Sequence, residues 1–178
     1  ALSEADFDGL LAASGLVGYA TGALFEDREG LLWMGTTHGL FRIADGPVWD
    51  LGRHEGLPSE YVRSVMQTAD GDIWIGHSRG LSRRRGGVLG QVFPVDGGGS
   101  SSVLALAPAR GGGVWAGTYN RGVLRLDGGD RPAVRQLDAD GPLASMQVRA
   151  LLEDPDGTLW IGTERGLMAW RDGQLDPK

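Results

Sequence analysis

The stretch GLPSEYVRSVMQTADGDIWIGHSRGL, from Gly56 to Leu81, places a tryptophan, Trp74, in an apolar run bracketed by Gly71 and Gly76. The same arrangement recurs without gaps in LLWMGTTHGL around Trp33, GVWAGTYNRG around Trp115 and TLWIGTERGL around Trp160. The tryptophans stand 41, 41 and 45 residues apart. Two residues after each is a glycine, Gly35, Gly76, Gly117 and Gly162, and three before each is another, Gly30, Gly71, Gly112 and Gly157. Several columns agreeing at one period mark a repeat architecture, so the fold is read one repeat at a time.

Further columns assign the elements. Twelve residues before each tryptophan stand Thr21, Val62, Val103 and Val148, and nine before it Leu24, Val65, Leu106 and Leu151, which fits one short strand. Asp27, Asp70, Asp154 and Asp156 then lead to the shared glycine, the chemistry of a tight hairpin turn. The second strand carries the tryptophan between apolar neighbours such as Ile73 and Ile75, a pattern suited to a strand covered on both faces. A polar turn ends at Gly39, Gly80, Gly122 or Gly166, and a third strand follows, as in LFRIA, VLRLD and LMAWR; Val88 to Phe93 is a fourth. Glycine at this density destroys any helical stripe, at roughly 0.5 to 1 kcal/mol for each helix-interior glycine.

Four short strands in about 41 residues make a propeller blade. The expected fold is all-β: a β-propeller of four-stranded blades in four repeats, 15–55, 56–97, 98–140 and 141–178, with the last blade's outer strand incomplete. Residues 1–14 read as the outer strand of a preceding or closing blade, with Phe7, Leu10 and Leu11 as its buried face. Two arrangements fit: the N-terminal segment closes the ring, or the four blades are an arc of a larger propeller, the reading favoured here. An open arc exposes an apolar blade face at each end, so further blades or a homodimer are the expected partners. Each tryptophan is expected between blades, where its ring buries roughly 150 to 250 Å² and contributes at most ~4 to 6 kcal/mol. The glycine two residues on is expected to leave room for that ring.

Composition narrows the function classes. The chain has 178 residues, a formal net charge of −6 and no cysteine, which removes disulfides, thiolate metal sites and cysteine nucleophiles. The acidic balance argues against nucleic acid as a partner. No apolar run approaches the ~20 residues of a membrane helix, so no membrane contact is expected within this segment. The opening ALSEADFDGLLAASG lacks a basic region and is not an intact export signal.

Candidate binding residues lie in the turns that vary while the scaffold repeats. After each tryptophan strand these are Thr36-Thr37-His38, His77-Ser78-Arg79, Thr118-Tyr119-Asn120-Arg121 and Thr163-Glu164-Arg165. The connections into each first strand add Pro58-Ser59-Glu60-Tyr61, Ser100-Ser101-Ser102 and Ser145-Met146-Gln147. Both sets are expected on one face of the disc. His38, Tyr61, His77, Arg79, Tyr119, Asn120, Arg121, Glu164 and Arg165 suit a hydroxyl-rich or carboxylate ligand, through stacking and paired hydrogen bonds. For any one of them an ordinary solvated turn is the competing reading.

No catalytic or cofactor motif appears. The three histidines, His38, His54 and His77, are not at metal-ligand spacing. The Asp-x-Asp-Gly turns lack the twelve-residue spacing and final glutamate of a calcium loop. The serines lack a G-x-S-x-G elbow, and the glycine runs lack the P-loop lysine. The basic run Arg83-Arg84-Arg85 reads as a solvated edge strand. No metal, cofactor or catalytic residue is therefore expected.

The pattern G-L-P-S, V-x-x-V, D-x-D-G-x-[LI]-W-I-G-T-x-x-G-L resembles the two-component regulator propeller repeat. Gly56 to Leu81 and Gly141 to Leu167 carry it most fully; the first repeat has GLVG in place of GLPS, and the third lacks both that segment and the acidic turn. The resemblance implies the sensing part of a bacterial membrane-spanning protein, periplasmic or otherwise outside the cytoplasmic membrane, ahead of a kinase or cyclase absent from this chain. It also implies a small ligand such as a saccharide. Two other readings compete: a protein-interaction scaffold, and an enzyme similar to the streptogramin lyases, for which His38, His77 and Glu164 are the set that would have to converge.

Overall fold

The computed structural model describes residues 19–43, 49–93 and 101–177. These form four antiparallel sheets, each a meander of four strands in chain order. The first holds β1 (Thr21–Glu26), β2 (Leu32–Thr36), β3 (Gly39–Ile43) and β4 (Trp49–Leu51). The second holds β5 (Val62–Gln67), β6 (Ile73–His77), β7 (Gly80–Arg85) and β8 (Val88–Phe93). The third holds β9 (Val103–Pro108), β10 (Val114–Thr118), β11 (Val123–Leu126) and β12 (Val134–Gln136). The fourth holds β13 (Val148–Glu153), β14 (Leu159–Thr163), β15 (Gly166–Arg171) and β16 (Gln174–Pro177). The expected strand within residues 1–14 lies outside the described residues.

The last blade corrects the sequence reading, because its outer strand is present: β16 pairs with β15 from Met168 opposite Pro177 to Arg171 opposite Gln174. The cause is the Asp172-Gly173 turn, with φ of 50° and 80°. Two successive left-handed residues make the two-residue hairpin whose twist matches its strands.

The four first strands lie side by side, β1 against β5, β5 against β9 and β9 against β13. Among the described residues no comparable contact joins β13 back to β1, so the four sheets form an arc. A hydrophobic cluster fills each boundary. Trp33, Leu40 and Leu51 meet Leu57, Val62 and Ile75 at the first, and Trp74, Leu81 and Phe93 meet Val103, Val114 and Leu124 at the second. At the third, Trp115 and Val123 pack with Leu143, Val148 and Ile161. Among the described residues no blade packs over Trp160, which lines an open apolar hollow with Ala150, Leu152, Gly162 and Leu167. Leu167 is 48% exposed, whereas its equivalents Leu40 and Leu81 are fully buried.

The repeated glycine serves a different neighbour from the one expected. A Cβ on Gly35 would lie 2.6 Å from Val62 Cγ1, and one on Gly117 2.6 Å from Val148 Cγ1; on Gly76 it would crowd Ser64 Oγ of its own blade first and Val103 Cγ1 next, at 2.9 Å. The missing side chain therefore admits the first-strand valine of the next blade, not the tryptophan ring. At Gly162 the nearest atom is Ala150 Cβ of the same blade, 3.1 Å away.

Each tryptophan also needs an acceptor for its indole N–H. Trp33 donates to Asp27 Oδ2 at 2.7 Å, Trp74 to Thr68 Oγ1 at 3.2 Å and Trp160 to Asp154 Oδ2 at 3.0 Å, in each case six residues upstream. The third blade has Ala109 at that place, and Trp115 donates instead to Glu153 Oε2 of the fourth blade at 2.7 Å. The same oxygen accepts the Arg110 N–H at 2.8 Å. A neighbour thus supplies the group that the third repeat lost.

The arginine run is likewise not a solvated edge. It lies on β7, between β6 and β8. Arg83 is buried, sits 5.3 Å over the Trp74 ring and donates to the Gly129 and Asp130 carbonyls. Arg85 binds both carboxylate oxygens of Asp72, at 2.9 and 2.8 Å, and Asp130 at 2.7 Å.

Gly117→Ala is expected to cost about 1 to 3 kcal/mol, by forcing Val148 out of its seat. Gly162→Ala is expected to cost clearly less, and equal urea midpoints for the two variants would refute the valine-seat account. Glu153→Ala strands the Trp115 N–H and should cost about 1 to 3 kcal/mol. Adding Ala109→Asp installs the acceptor that the first and fourth repeats use and should recover most of that loss in the same melts.

Candidate functional site

The two loop sets are joined by a backbone hydrogen bond in every blade. The amide four residues after the tryptophan donates to the carbonyl thirteen before it. Thr37 bonds Ala20 at 3.2 Å, Ser78 bonds Tyr61 at 3.0 Å, Tyr119 bonds Ser102 at 2.9 Å and Glu164 bonds Gln147 at 3.3 Å. Both loop sets therefore stand at one end of the sheets, as expected. Because main-chain atoms make the bond, the side chains at these positions are free to differ.

The turns are closed by the residue three after the tryptophan. Thr36, Thr118 and Thr163 each donate a hydroxyl to the turn carbonyl, of Gly39, Gly122 and Gly166, at 3.2, 2.9 and 3.0 Å. Each also accepts an amide hydrogen from the turn, from His38, Arg121 and Arg165 respectively. In the second blade this place belongs to His77. Its Nδ1 accepts the Arg79 amide hydrogen at 3.2 Å, which leaves the ring proton on Nε2, 2.9 Å from Ser82 Oγ. His77 is fully buried, so it is removed from the solvent-facing candidates: it holds a turn. Burial, with a lesser contribution from the Arg79 charge, lowers its pKa to about 4.

At the inner end of these loops, the mouth of the space between the first strands holds a basin of about 330 Å³. Of the candidate residues it gathers Tyr61 and Tyr119, which are 41% and 57% exposed. The others lie elsewhere. The His38 ring stacks on Tyr19 with centroids 4.1 Å apart, and its Nδ1 is 2.9 Å from Thr37 Oγ1. Asn120 Oδ1 accepts from Ser101 Oγ at 2.6 Å, and the Arg121 guanidinium sits 5.3 Å from the Phe93 ring centre. Arg79, Glu164 and Arg165 are exposed turn residues, the last two 3.9 Å apart.

The basin's two charged residues, Arg63 and Arg149, were missed in the sequence, whereas Thr36, Thr37 and Gln147, which also line it, belong to the loop sets named there. Arg63 and Arg149 stand eleven residues before their tryptophans, in the column of Gly22 and Leu104, which also line the basin. The signal lay in strand alternation: the valine next to this column points into the blade boundary, so this column points toward the axis.

His38, His77 and Glu164 do not converge. They come from three blades, and His77 is sealed. Among the described residues no group of three His, Asp or Glu side chains is placed to hold a metal ion.

Three segments, residues 15–38, 56–79 and 142–165, match the two component regulator propeller model. These three segments are similar to that repeat. The third blade falls outside the match, in keeping with its missing G-L-P-S segment and acidic turn. No curated protein matches the chain. Among solved structures it is similar to a protein of B. thetaiotaomicron assigned as the extracellular domain of a hybrid two component system, at a TM-score of 0.76 and 22% identity; the match covers 89% of this chain and 22% of that one. A second such domain from the same organism matches at 0.74 and 21%, over 88% of this chain and again 22% of that one. A catalytically inactive virginiamycin B lyase from Staphylococcus aureus, solved with quinupristin, matches at 0.70 and 15%, over 88% and 54%. These likenesses show the propeller fold. The propeller repeats described here span about a fifth of the length of the extracellular domains they resemble. No helix among the described residues is long and apolar enough to cross a membrane.

The His77 shift sets a pH dependence. The unfolded chain takes up this proton near pH 6.5, whereas the folded chain resists it down to about 4. Its contribution is therefore complete above pH 6.5, is lost between pH 6.5 and 4, and amounts to about 3 kcal/mol. His77→Thr installs the residue that the other repeats use. Its stability curve is expected to be flatter than the parent's over that window, and parallel curves in urea melts at pH 7, 5.5 and 4.5 would contradict the assignment.

Proposed function

We propose that these repeats form the noncatalytic sensory part of a bacterial signal-transduction protein, exposed outside the cytoplasmic membrane, and that they bind a small hydroxyl-rich or carboxylate molecule such as a saccharide on the loop face. The observation that carries this reading is the basin itself. A backbone bond repeated in every blade and a valine seat at the three boundaries between blades hold its walls, while the side chains facing it differ from blade to blade. A stacking surface with scattered hydrogen-bonding groups, at the lower end of ligand-pocket sizes, fits a molecule of monosaccharide size. The family match and the likeness to extracellular sensor domains support the sensory role. In this reading the apolar hollow at Trp160 receives a further blade or a second copy.

The test is thermal melting of the chain against a panel of saccharides and small carboxylates, with the mass followed by light scattering. At least one compound is expected to raise the melting temperature, and Tyr119→Ala is expected to abolish that rise without lowering the ligand-free melting temperature, because Tyr119 is exposed. A rise unaffected by Tyr61→Ala and Tyr119→Ala would place the site elsewhere. Turnover of a streptogramin by the folded chain would favour the lyase reading instead.

A further inference from the structure

The charge on the basin's wall runs against the charge of the protein. The chain carries a net −6, yet the basin is lined by two arginines and by no aspartate or glutamate. Among the described residues neither Arg63 nor Arg149 makes an ion pair with a carboxylate. Arg83 and Arg85, in contrast, meet Asp72, Asp70 or Asp130 within 4 Å. Two guanidinium groups thus face one concave space, with no carboxylate among the described residues paired to either.

Both are positioned. The Arg63 guanidinium lies 4.4 Å from the Tyr61 ring centre, and Arg149 donates to Gln147 Oε1 at 3.2 Å. Each rests on a neutral partner that fixes direction without cancelling charge. They project from β5 and β13, the strands on either side of β9, whose residue in the same column is Leu104. Two forks therefore flank an apolar floor, beside the tyrosines and Thr37.

We propose that the basin selects a carboxylate-bearing ligand, an acidic sugar or polyhydroxy acid, over its neutral counterpart, with Arg63 and Arg149 as the charge-selecting residues. The planar guanidinium fork matches a carboxylate through two parallel hydrogen bonds, and a neutral hydroxymethyl group in the same place accepts only one. Leu104 and the tyrosines accommodate the carbon skeleton, while Thr37 and Gln147 take hydroxyls. Because the site is open to water, the attraction is screened, and affinity falls as salt rises. This inference rests on the ligand-binding reading above and narrows it.

D-glucuronate and D-glucose differ only in the carboxylate, and meso-tartrate supplies the acid without the ring. Each is titrated into the ¹⁵N-labelled chain at 20 and 200 mM salt, while the arginine Nε–H resonances are followed; Arg63→Gln and Arg149→Gln assign the two signals. Glucuronate and tartrate are expected to move both signals, with at least tenfold tighter binding than glucose and weaker binding at the higher salt. Either variant should lower glucuronate affinity about tenfold, and Arg131→Gln, outside the basin, should leave it unchanged. Glucose binding as tightly as glucuronate, indifferent to both variants, overturns the carboxylate inference and leaves the ligand-binding reading standing. If neither acid moves either signal at millimolar concentration and glucose shifts no backbone resonance of the basin, both fall.

Discussion

The seating of a first-strand valine against a bare glycine of the preceding blade is the contact on which the rest of the structure depends. Val62 on Gly35, Val103 on Gly76 and Val148 on Gly117 bring each first strand against the sheet before it, so closely that a single methyl on the glycine has no room. That approach lets the tryptophans at Trp33, Trp74 and Trp115 reach into clusters shared by two blades. It also fixes where the neighbouring column points. With the valine turned into the boundary, the next residue along the strand faces the axis, and this is how Arg63 and Arg149 come to line one basin. Packing between blades and the chemistry of the loop face are thus two consequences of one strand's alternation.

Much of this was legible because it repeats. The tryptophan and glycine columns, the acidic turns and the third-strand patterns gave the four sheets, since a residue needed for blade packing is needed once per blade. What escaped the sequence reading was whatever one blade does alone. The Asp172-Gly173 hairpin carries a recognisable turn signal, yet no equivalent stands at that place in every repeat. Glu153 stands in for the acid missing near Ala109, and only proximity of two blades reveals it. His77 looked like a turn histidine available to ligand; comparison with Thr36, Thr118 and Thr163 at the same place identifies it as the turn's hydrogen-bonding residue, forced inward. The glycine was assigned to the wrong neighbour because the sequence shows that space is needed and not what fills it.

The candidate site was half legible for the same reason. Tyr61 and Tyr119 lie in variable turns, where binding residues are sought, and both line the basin. Arg63 and Arg149 lie on strands, in a column whose other members are Gly22 and Leu104, so no residue type marks the column as functional. Its meaning is geometric and emerges only when four first strands are set around one axis. Asn120 and Arg121, chemically apt in the sequence, are engaged by Ser101 and Phe93 and serve the turn.

In a linear array of blades, each unit is stabilised by its own sheet and by the boundaries it shares. Among the described residues the second and third blades share two boundaries each, and the first and fourth share one each, which at the fourth leaves Leu152 and Leu167 exposed at 62% and 48%. The fourth blade is therefore, like the first, a unit with less to lose on opening than the interior two, and it is held by Val148 on Gly117 and by the Glu153 bond to Trp115. Both of these residues belong to β13, the strand that presents Arg149 to the basin. Arg63 belongs to an interior blade. A ligand engaging both arginines therefore fastens a terminal unit to an interior one, and the stabilisation it confers by binding the assembled form appears first as resistance of β13 to opening. In a propeller of this kind, occupancy of the axial basin and integrity of the last blade boundary are coupled through a single strand.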